Sequence, residues 1–520
     1  AQSTGRRMAK ALFISALSLL LFAFFSVIAL KRPADVDEGY HLVCSKSIFV
    51  EGRTPYIDFF FFQMPLLPYV YGGIMSLFGY QWQVARLVCA FLAAAIGTLL
   101  CRYAFQKTGS MSFAASIAVI YCFAPYIFIW FTCARTHVLS VFFLVISISL
   151  LRPMTTRASV PLWTASGFFL GLGIDTRLYF LALVPVLAFH VSQVEKEKAL
   201  RAVPFFLGGV AMGLTINIPF LAADPMKYLL NVIGYHALKT SDGLIGSFGQ
   251  KVDLLRQTLF DYPALRPTLY LGYVIVFAAY LGQQVYRRTP LSAWNPAFYV
   301  GGTLFLVSLL PTPTLGQYFS VPVPFFLILA IDLVQTVFEY LKADYAKRTA
   351  AAAVALGAVL FACLAAGKVD FYIFKGNNLE GSMPTEGGRE DWNLANVERV
   401  SRAIDSLVGL HGVVFSLWPG YLLESDVRIM PRTENVTLLE IEDRLSERIR
   451  SLSQTITDDE IRKGIATREI DLFIYGNSIA PHVSEYKALL TGNGYTVAEK
   501  IGGISLFMSP QYEGRAYENP

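Results

Sequence analysis

Apolar runs dominate the first two-thirds of the chain. Stretches near the length of about 20 residues that crosses a bilayer as a helix recur at 11–30, 84–105, 111–131, 136–151, 203–222, 267–285, 294–311, 319–338 and 350–367. One further stretch, 160–192, carries Asp175 and Arg177 near its middle, in GFFLGLGIDTRLYFLALVP. As one helix it would be about 50 Å long, against a hydrocarbon core of about 30 Å. It lies between two short basic loops, one with Arg152 and Arg157, the other with Lys196, Lys198 and Arg201. Short basic loops mark the cytoplasmic side, so the stretch crosses twice and its break sits inside the outer leaflet. The total is about 11 spans. The first run follows Arg6, Arg7 and Lys10, is too long for a signal h-region and lacks a cleavage pattern, so an uncleaved span is expected.

The other basic loops, at Arg102 and Lys107, at Arg287 and Arg288, and at Lys342, Lys347 and Arg348, fall on the same cytoplasmic side. Segments 31–83, 131–135, 174–177, 223–266, 311–318 and everything after 368 are then extracytoplasmic. Residues 31–83 form a first external loop. Its FFFFQMPLLPYVYGGIMSLFG is too broken by Pro65, Pro68 and Gly72–Gly73 to span, and reads as a pair of short interfacial helices. A long external loop covers 223–266, with the glycine-rich SDGLIGSFG inside it.

Beyond residue 368 the pattern changes. Short strand-like runs at 412–417, 470–475 and 503–508 alternate with helical periodicity at 393–409, 437–454, 457–468 and 481–492. This predicts a soluble α/β domain over 369–520 following a membrane domain over 1–368. The fold class expected is thus a polytopic α-helical membrane protein with an extracytoplasmic α/β domain.

Composition agrees with this division. Only 16% of the 520 residues are charged and 54% are hydrophobic, where soluble domains carry about a quarter charged residues. The net charge of +5 is scattered through loops, so no basic stripe points to nucleic acid. Five of the six cysteines lie in or beside apolar runs, and no CxxC knuckle or disulfide framework appears. GxGxxG, P-loop and nucleophile-elbow motifs are absent. Asn435-Val-Thr437 matches a glycosylation sequon, a three-residue pattern that is common by chance.

Candidate chemistry gathers on the extracytoplasmic face. Asp35, Asp37 and Glu38 follow the first span, where they can serve simply as N-terminal acids of the next helix. Yet Asp58, Arg135, the Asp175–Arg177 break, Gln317 and Tyr318 lie on the same side, with His41, His137, His236 and Lys239. Ionisable groups at membrane depth usually face a polar cavity. A reaction that fits is glycosyl transfer from a lipid-linked sugar phosphate. The phosphate leaves without a general acid, one carboxylate suffices as base, and arginine matches phosphate bidentately. Asp35-x-Asp37 also presents hard oxygen ligands for a divalent cation, magnesium or manganese. Arg177 can instead form a structural pair with Asp175, and Arg135 can snorkel to the interface.

Four stretches carry a family resemblance. They are Asp37-Glu38 leading through Gly52, Pro55-Tyr56-Ile57-Asp58 to Gln63-Met64-Pro65-Leu66; CARTHVLSVFFLV; GFFLGLGIDTRLYFLALVP; and QYFSVPVPFF. Together they resemble the polytopic GT-C glycosyltransferases, in particular the protein O-mannosyltransferase and aminoarabinose transferase group. The resemblance implies a polyprenyl-phosphate-linked sugar donor, inverting transfer to a hydroxyl of a glycan, lipid or protein, and Asp37 as base or its closest partner; Glu38, which can orient Asp37, and Asp58, which can bind the acceptor or serve as a second acid, are the further catalytic candidates. The candidate donor-phosphate contacts on this face are Arg177, Arg135, Gln63 and Tyr318, and the candidate substrate contacts are His41, Tyr56, Gln317 and His236. Gln63 stands where aminoarabinose transferases carry a phosphate-binding lysine, and Arg177 where the usual residue is lysine. The implied setting is a bacterial inner membrane with the active site on the periplasmic side. Two other readings use the same charges: a transporter or flippase of lipid-linked glycans, which predicts internal repeats that the chain lacks, and a non-catalytic envelope assembly subunit.

Overall fold

A computed structural model describes residues 2–151, 160–194, 199–238, 247–261, 270–341, 344–375, 387–476 and 483–512. The chain opens with α1 (Gln2–Lys31), α2 (Val36–Val50), α3 (Leu66–Phe78), α4 (Trp82–Thr108), α5 (Met111–Phe123), α6 (Pro125–Trp130) and α7 (Thr136–Leu151). Four helices among the described residues are long and apolar enough to cross a membrane: Met8–Lys31, Trp82–Thr108, Gly316–Tyr340 and Asp344–Lys375. Leu200–Gly213 and Thr215–Ala223 make a fifth only as a pair bent by 42°. The apolar helices Leu66–Phe78, Met111–Phe123, Thr136–Leu151, Leu178–Val194 and Pro296–Val307 are shorter. Broken and short helices of this kind are tolerated where polar side chains re-satisfy the freed backbone.

The stretch 160–192 does break where its charges fall. Helix α8 (Val160–Thr176) ends before Arg177, whose backbone is extended, and a 3-10 turn over Leu178–Ala182 leads into α9 (Leu183–Val194). Glycines hold α8 in place. A Cβ on Gly167 would come within 1.9 Å of the Phe206 carbonyl, and one on Gly209 within 2.1 Å of the Thr164 carbonyl. Gly167 and Gly171 of α8 thus face Gly209 and Gly213 of α10 (Ala199–Gly213). This is the close small-xxx-small approach that membrane helices use in place of a hydrophobic driving force.

The first external loop differs from expectation in one respect. FFFFQMPLLPYVYGGIMSLFG forms one helix, α3, not two, and its phenylalanines run into α3 without helical structure. The second helix of the loop is α2. Asp35 caps it: Oδ1 accepts from the backbone N–H of Asp37 (3.0 Å) and Glu38 (3.3 Å), and Glu38 Oε2 accepts from the Asp35 N–H (3.4 Å). Asp-x-x-Glu here acts as a capping box, which satisfies orphan donors at both ends of the motif.

The C-terminal part carries a four-stranded sheet in the order β1-β2-β4-β3: β1 (Val414–Ser416), β2 (Leu472–Tyr475), β3 (Thr496–Ile501) and β4 (Ile504–Met508). β1 and β2 are parallel and the other pairs antiparallel. Three strands fall on the runs expected, but β3 was not foreseen, because its mostly exposed TVAEKI lacks an apolar face. Residues 437–454 hold a 3-10 turn (Thr437–Arg444) and a short helix (Glu447–Ser453) rather than one helix. Asn435 is buried, its Oδ1 taken by Thr437, so the sequon is not presented to solvent.

This part is docked on the first loop. Trp418 Nε1 donates to the Val36 carbonyl (3.0 Å), Ala34 N–H donates to the Trp392 carbonyl (2.6 Å), and Lys46 donates to the carbonyls of Leu422 (2.8 Å) and Ser425. A Cβ on Gly39 would sit 2.6 Å from the Trp418 ring, so α2 needs glycine there. The N-terminus of α2, with its acids, is wedged between the apolar helices and the C-terminal part.

Candidate functional site

A cavity of about 830 Å3 opens beneath that wedge. Its wall includes Asp35, Asp37 and His41 from α2 and its cap, Gln63 from the loop before α3, and Arg135, Thr136 and His137 at the start of α7. Arg177 and Tyr179 come from the break after α8, His236 from the long external loop, and Gln317 and Tyr318 from the turn before Val323–Tyr340. Residues more than 250 positions apart in the chain thus share one space, which is also lined by Thr437 and Glu440 of the C-terminal part.

Arg135 organises the acids. Its Nη1 donates to Asp35 Oδ2 (3.0 Å) and its Nη2 to Asp37 Oδ2. The Asp35 side chain is fully buried, whereas that of Asp37 is 31% exposed, toward the cavity. Burial pushes the Asp35 carboxyl up to about 6, with Arg135 opposing and Asp37 reinforcing the rise. Asp35 is therefore a cap and a counter-charge, and Asp37 the accessible carboxylate.

Glu38 faces away from the cavity. It is fully buried against Arg86 and also accepts the Ala134 N–H (2.8 Å). Burial alone would raise its pKa, but the Arg86 charge and hydrogen bonds together hold it below the usual carboxylate value. Arg86 spends its remaining donors on the carbonyls of Ala29 (2.9 Å), Arg32 (2.6 Å) and Pro33 (2.9 Å), the end of α1 and the linker to α2. Sequence reading passed over Arg86 because it sits within an apolar run, where a single charge carries no pattern.

Arg177 is buried, yet no carboxylate lies within ion-pair distance of it among the described residues. Its Nη1 donates to Thr136 Oγ1 (3.1 Å), and its guanidinium lies over the rings of Tyr179 (4.7 Å) and Tyr318 (5.4 Å). The expected rival pairing with Asp175 does not form: Asp175 Oδ1 accepts from Asn217 Nδ2 (2.7 Å) instead. The result is a desolvated cation, stacked on two aromatic faces and open to an anion from the cavity.

Other candidates lie at different distances from this centre. His41 is wedged between Phe61 and Phe62, and burial pulls its pKa down to about 4, so it is neutral. His236 Nε2 lies 3.0 Å from the Phe62 carbonyl. Tyr56 is buried behind the wall, its hydroxyl donating to the Gln63 carbonyl (2.7 Å), so it shapes the backbone of a cavity residue without lining the space itself. Asp58 is exposed outside the cavity, where its carboxylate accepts the Thr54 N–H (2.7 Å) and ties a turn. Lys239 lies outside the described residues. Thr437, Glu440 and Tyr179 were not foreseen; a short 3-10 turn leaves no periodic signal from which a cavity face can be read.

The Asp35–Asp37 pair is already engaged by protein donors. Asp35 already accepts two backbone N–H groups and Arg135, and among the described residues no three His, Cys, Asp or Glu side chains converge as a metal site.

Helices broken within apolar stretches surround a polar cavity that the small α/β unit of the C-terminal part also lines. Residues 63–222 match the family described as dolichyl-phosphate-mannose-protein mannosyltransferase. The whole fold is similar to that of ArnT from Cupriavidus metallidurans in the apo state, with a TM-score of 0.64, 14% identity, and 98% of each chain covered. The same protein bound to undecaprenyl phosphate gives 0.62 at 14% identity, over 96% of this chain and 98% of that one. The Archaeoglobus fulgidus oligosaccharyltransferase gives 0.50 at 12% identity, over 94% and 73%. No curated protein matches the chain in sequence.

Proposed function

We propose that this chain is a membrane glycosyltransferase that moves a sugar from a polyprenyl-phosphate-linked donor to a hydroxyl acceptor, with inversion, on the extracytoplasmic face. The observation that carries the reading is the pairing in one cavity of an accessible carboxylate, Asp37, with a buried guanidinium, Arg177, that has no carboxylate partner among the described residues. The family match over residues 63–222 and the likeness in fold to a protein crystallised with undecaprenyl phosphate support it.

In this reading the donor phosphate lies against Arg177, with Gln63, Gln317 and Tyr318 around it, and the acceptor hydroxyl approaches Asp37. The acceptor oxygen bonds to the anomeric carbon as the bond from that carbon to the phosphate oxygen breaks. The leaving oxygen keeps the electron pair, and its growing charge is met by Arg177. The acceptor proton passes to Asp37, positioned by Arg135. Attack opposite the leaving group inverts the anomeric centre. Asp35 and Glu38 act through position, as cap and as buried anchor, and no step runs through a metal.

The test is transfer from a panel of polyprenyl-phosphate sugars in detergent or proteoliposomes. Turnover with one of them, lost in Asp37→Asn protein that remains folded, is expected. A flippase would move labelled lipid across the bilayer without forming a glycosidic product, and an assembly subunit would show neither activity.

A further inference from the structure

Beside Arg177 sits a second unused polar group. His137 is the second residue of α7 and is 1% exposed, and neither ring nitrogen has a hydrogen-bond partner among the described residues. Its ring packs on Trp130, with centroids 5.8 Å apart and planes at 30°, and it lines the cavity. A buried polar group without a partner is costly and calls for an explanation. An apolar residue would pack on Trp130 without that cost, so packing alone does not account for a histidine here.

The surroundings say what the missing partner is. Thr136, the preceding residue, accepts from Arg177 Nη1 at 3.1 Å, which brings the guanidinium to the first turn of α7. The first turn of a helix has N–H groups without intrahelical partners and carries the positive end of the helix dipole. Arg135, the residue before that, is committed to Asp35 and Asp37. A cation, a helix N-terminus 16 residues long behind it, and an unpartnered imidazole thus bound the same corner of the cavity.

We infer that His137 is a binding residue for the phosphate of a lipid-linked ligand, donating a ring N–H to a phosphate oxygen that Arg177 also contacts. A ring N–H is available for this in either protonation state of the imidazole. The inference rests on the donor reading above and adds a residue to it. It assigns His137 to the phosphate and Asp37 to the acceptor.

The test measures binding, so it does not depend on turnover. Full-length protein in detergent is titrated with a short-chain polyprenyl phosphate, with the corresponding polyprenol, and with inorganic phosphate as competitor. Wild type is expected to prefer the phosphate over the alcohol. His137→Phe, which keeps a ring on Trp130 but no donor, is expected to lose about 10-fold or more for the polyprenyl phosphate and nothing for the polyprenol, the scale of one hydrogen bond to a charged group. His137→Asn, which restores an N–H donor, should recover most of that loss, a rescue that a purely structural role would not produce. Should His137→Phe not fold, His137→Leu carries the same comparison. Equal affinity of the donor-free variant and wild type for the phosphate overturns the inference and leaves the transferase reading intact. Lack of phosphate preference in wild type overturns it too. Phosphate preference lost in the variant, from a protein that transfers no sugar, upholds the inference and removes the transferase reading. Competition by inorganic phosphate at similar concentration would show a site for the free ion rather than the lipid headgroup, and would overturn it in the form given.

Discussion

Arg86 grips Glu38 with two guanidinium nitrogens, Nε at 3.1 Å and Nη2 at 2.7 Å, and neither side chain is exposed. The pair lies one residue behind Asp37 and ties α4 to the α1–α2 linker and to Ala134, next to Arg135. It therefore sets where both the accessible carboxylate and its arginine partner stand. Removing one partner of a buried pair leaves an uncompensated charge, at a cost of about 3–5 kcal/mol. Arg86→Leu is expected to lower the unfolding temperature sharply in a detergent thermal-shift assay, and Glu38→Gln less so, because the amide can keep an acceptor toward Ala134. A stable Arg86→Leu protein would refute the anchoring role.

Asp37, paired with Arg135, is 31% exposed toward the cavity, so its carboxylate is less tightly enclosed than that of Glu38. Asp37→Asn is expected to reduce transfer by at least about 100-fold, the usual scale of a lost general base, with an unfolding temperature close to wild type. Retained transfer would move the base elsewhere in the cavity.

Arg177 is the reverse of a stabilising ion pair: a buried charge with no counter-charge among the described residues. Replacing it with Gln should leave the unfolding temperature unchanged or raised, while donor KM rises about 10-fold or more, from the loss of a charge-assisted hydrogen bond. A fall in stability without a change in donor KM would assign Arg177 to structure.

The raised pKa of Asp35 has a sign that can be checked. Its folded value is about 6 against an ordinary 3.8. The folded state thus holds a proton that the unfolded state has lost between these values, and the stability this contributes is full below about pH 4 and gone once pH passes about 6. Glu38 works in the opposite direction, its stabilisation being lost as pH falls below its ordinary value of 4.5. Asp35→Asn keeps a good cap and removes only the first effect. Between pH 4 and 6, wild-type unfolding temperature should therefore fall with rising pH relative to the variant. Parallel curves would show that Asp35 titrates normally.

With Asp35 committed to its cap and to Arg135, transfer should continue in EDTA. Loss of activity restored by magnesium or manganese would show that the first-loop acids rearrange around an ion.

Much of this was legible along the chain. The apolar runs mark the membrane part, because a helix in lipid must be apolar over its length, and charge in a short break marks where Arg177 would turn inward. Periodicity located three of the four strands in the C-terminal part. The order Asp37-Glu38 then Pro55-Tyr56-Ile57-Asp58 drew attention to a loop whose first acids line the cavity, but not to where each of its acids stands. Asp58, a further catalytic candidate, ties an exposed turn outside the cavity, and Asp35, a candidate cation ligand, caps α2.

What the sequence determined by itself is what local rules govern: which segments are apolar, where they break, and which ionisable groups lie near one face. Only the tertiary structure decided which of those groups meet. Whether a carboxylate is a base, a cap or half of a buried pair depends on the charge opposite it, and here Arg86, Arg135 and Arg177 come from different helices. That no carboxylate among the described residues stands beside Arg177, on which the functional reading turns, is a fact about three-dimensional neighbours. No pattern along the chain can express it.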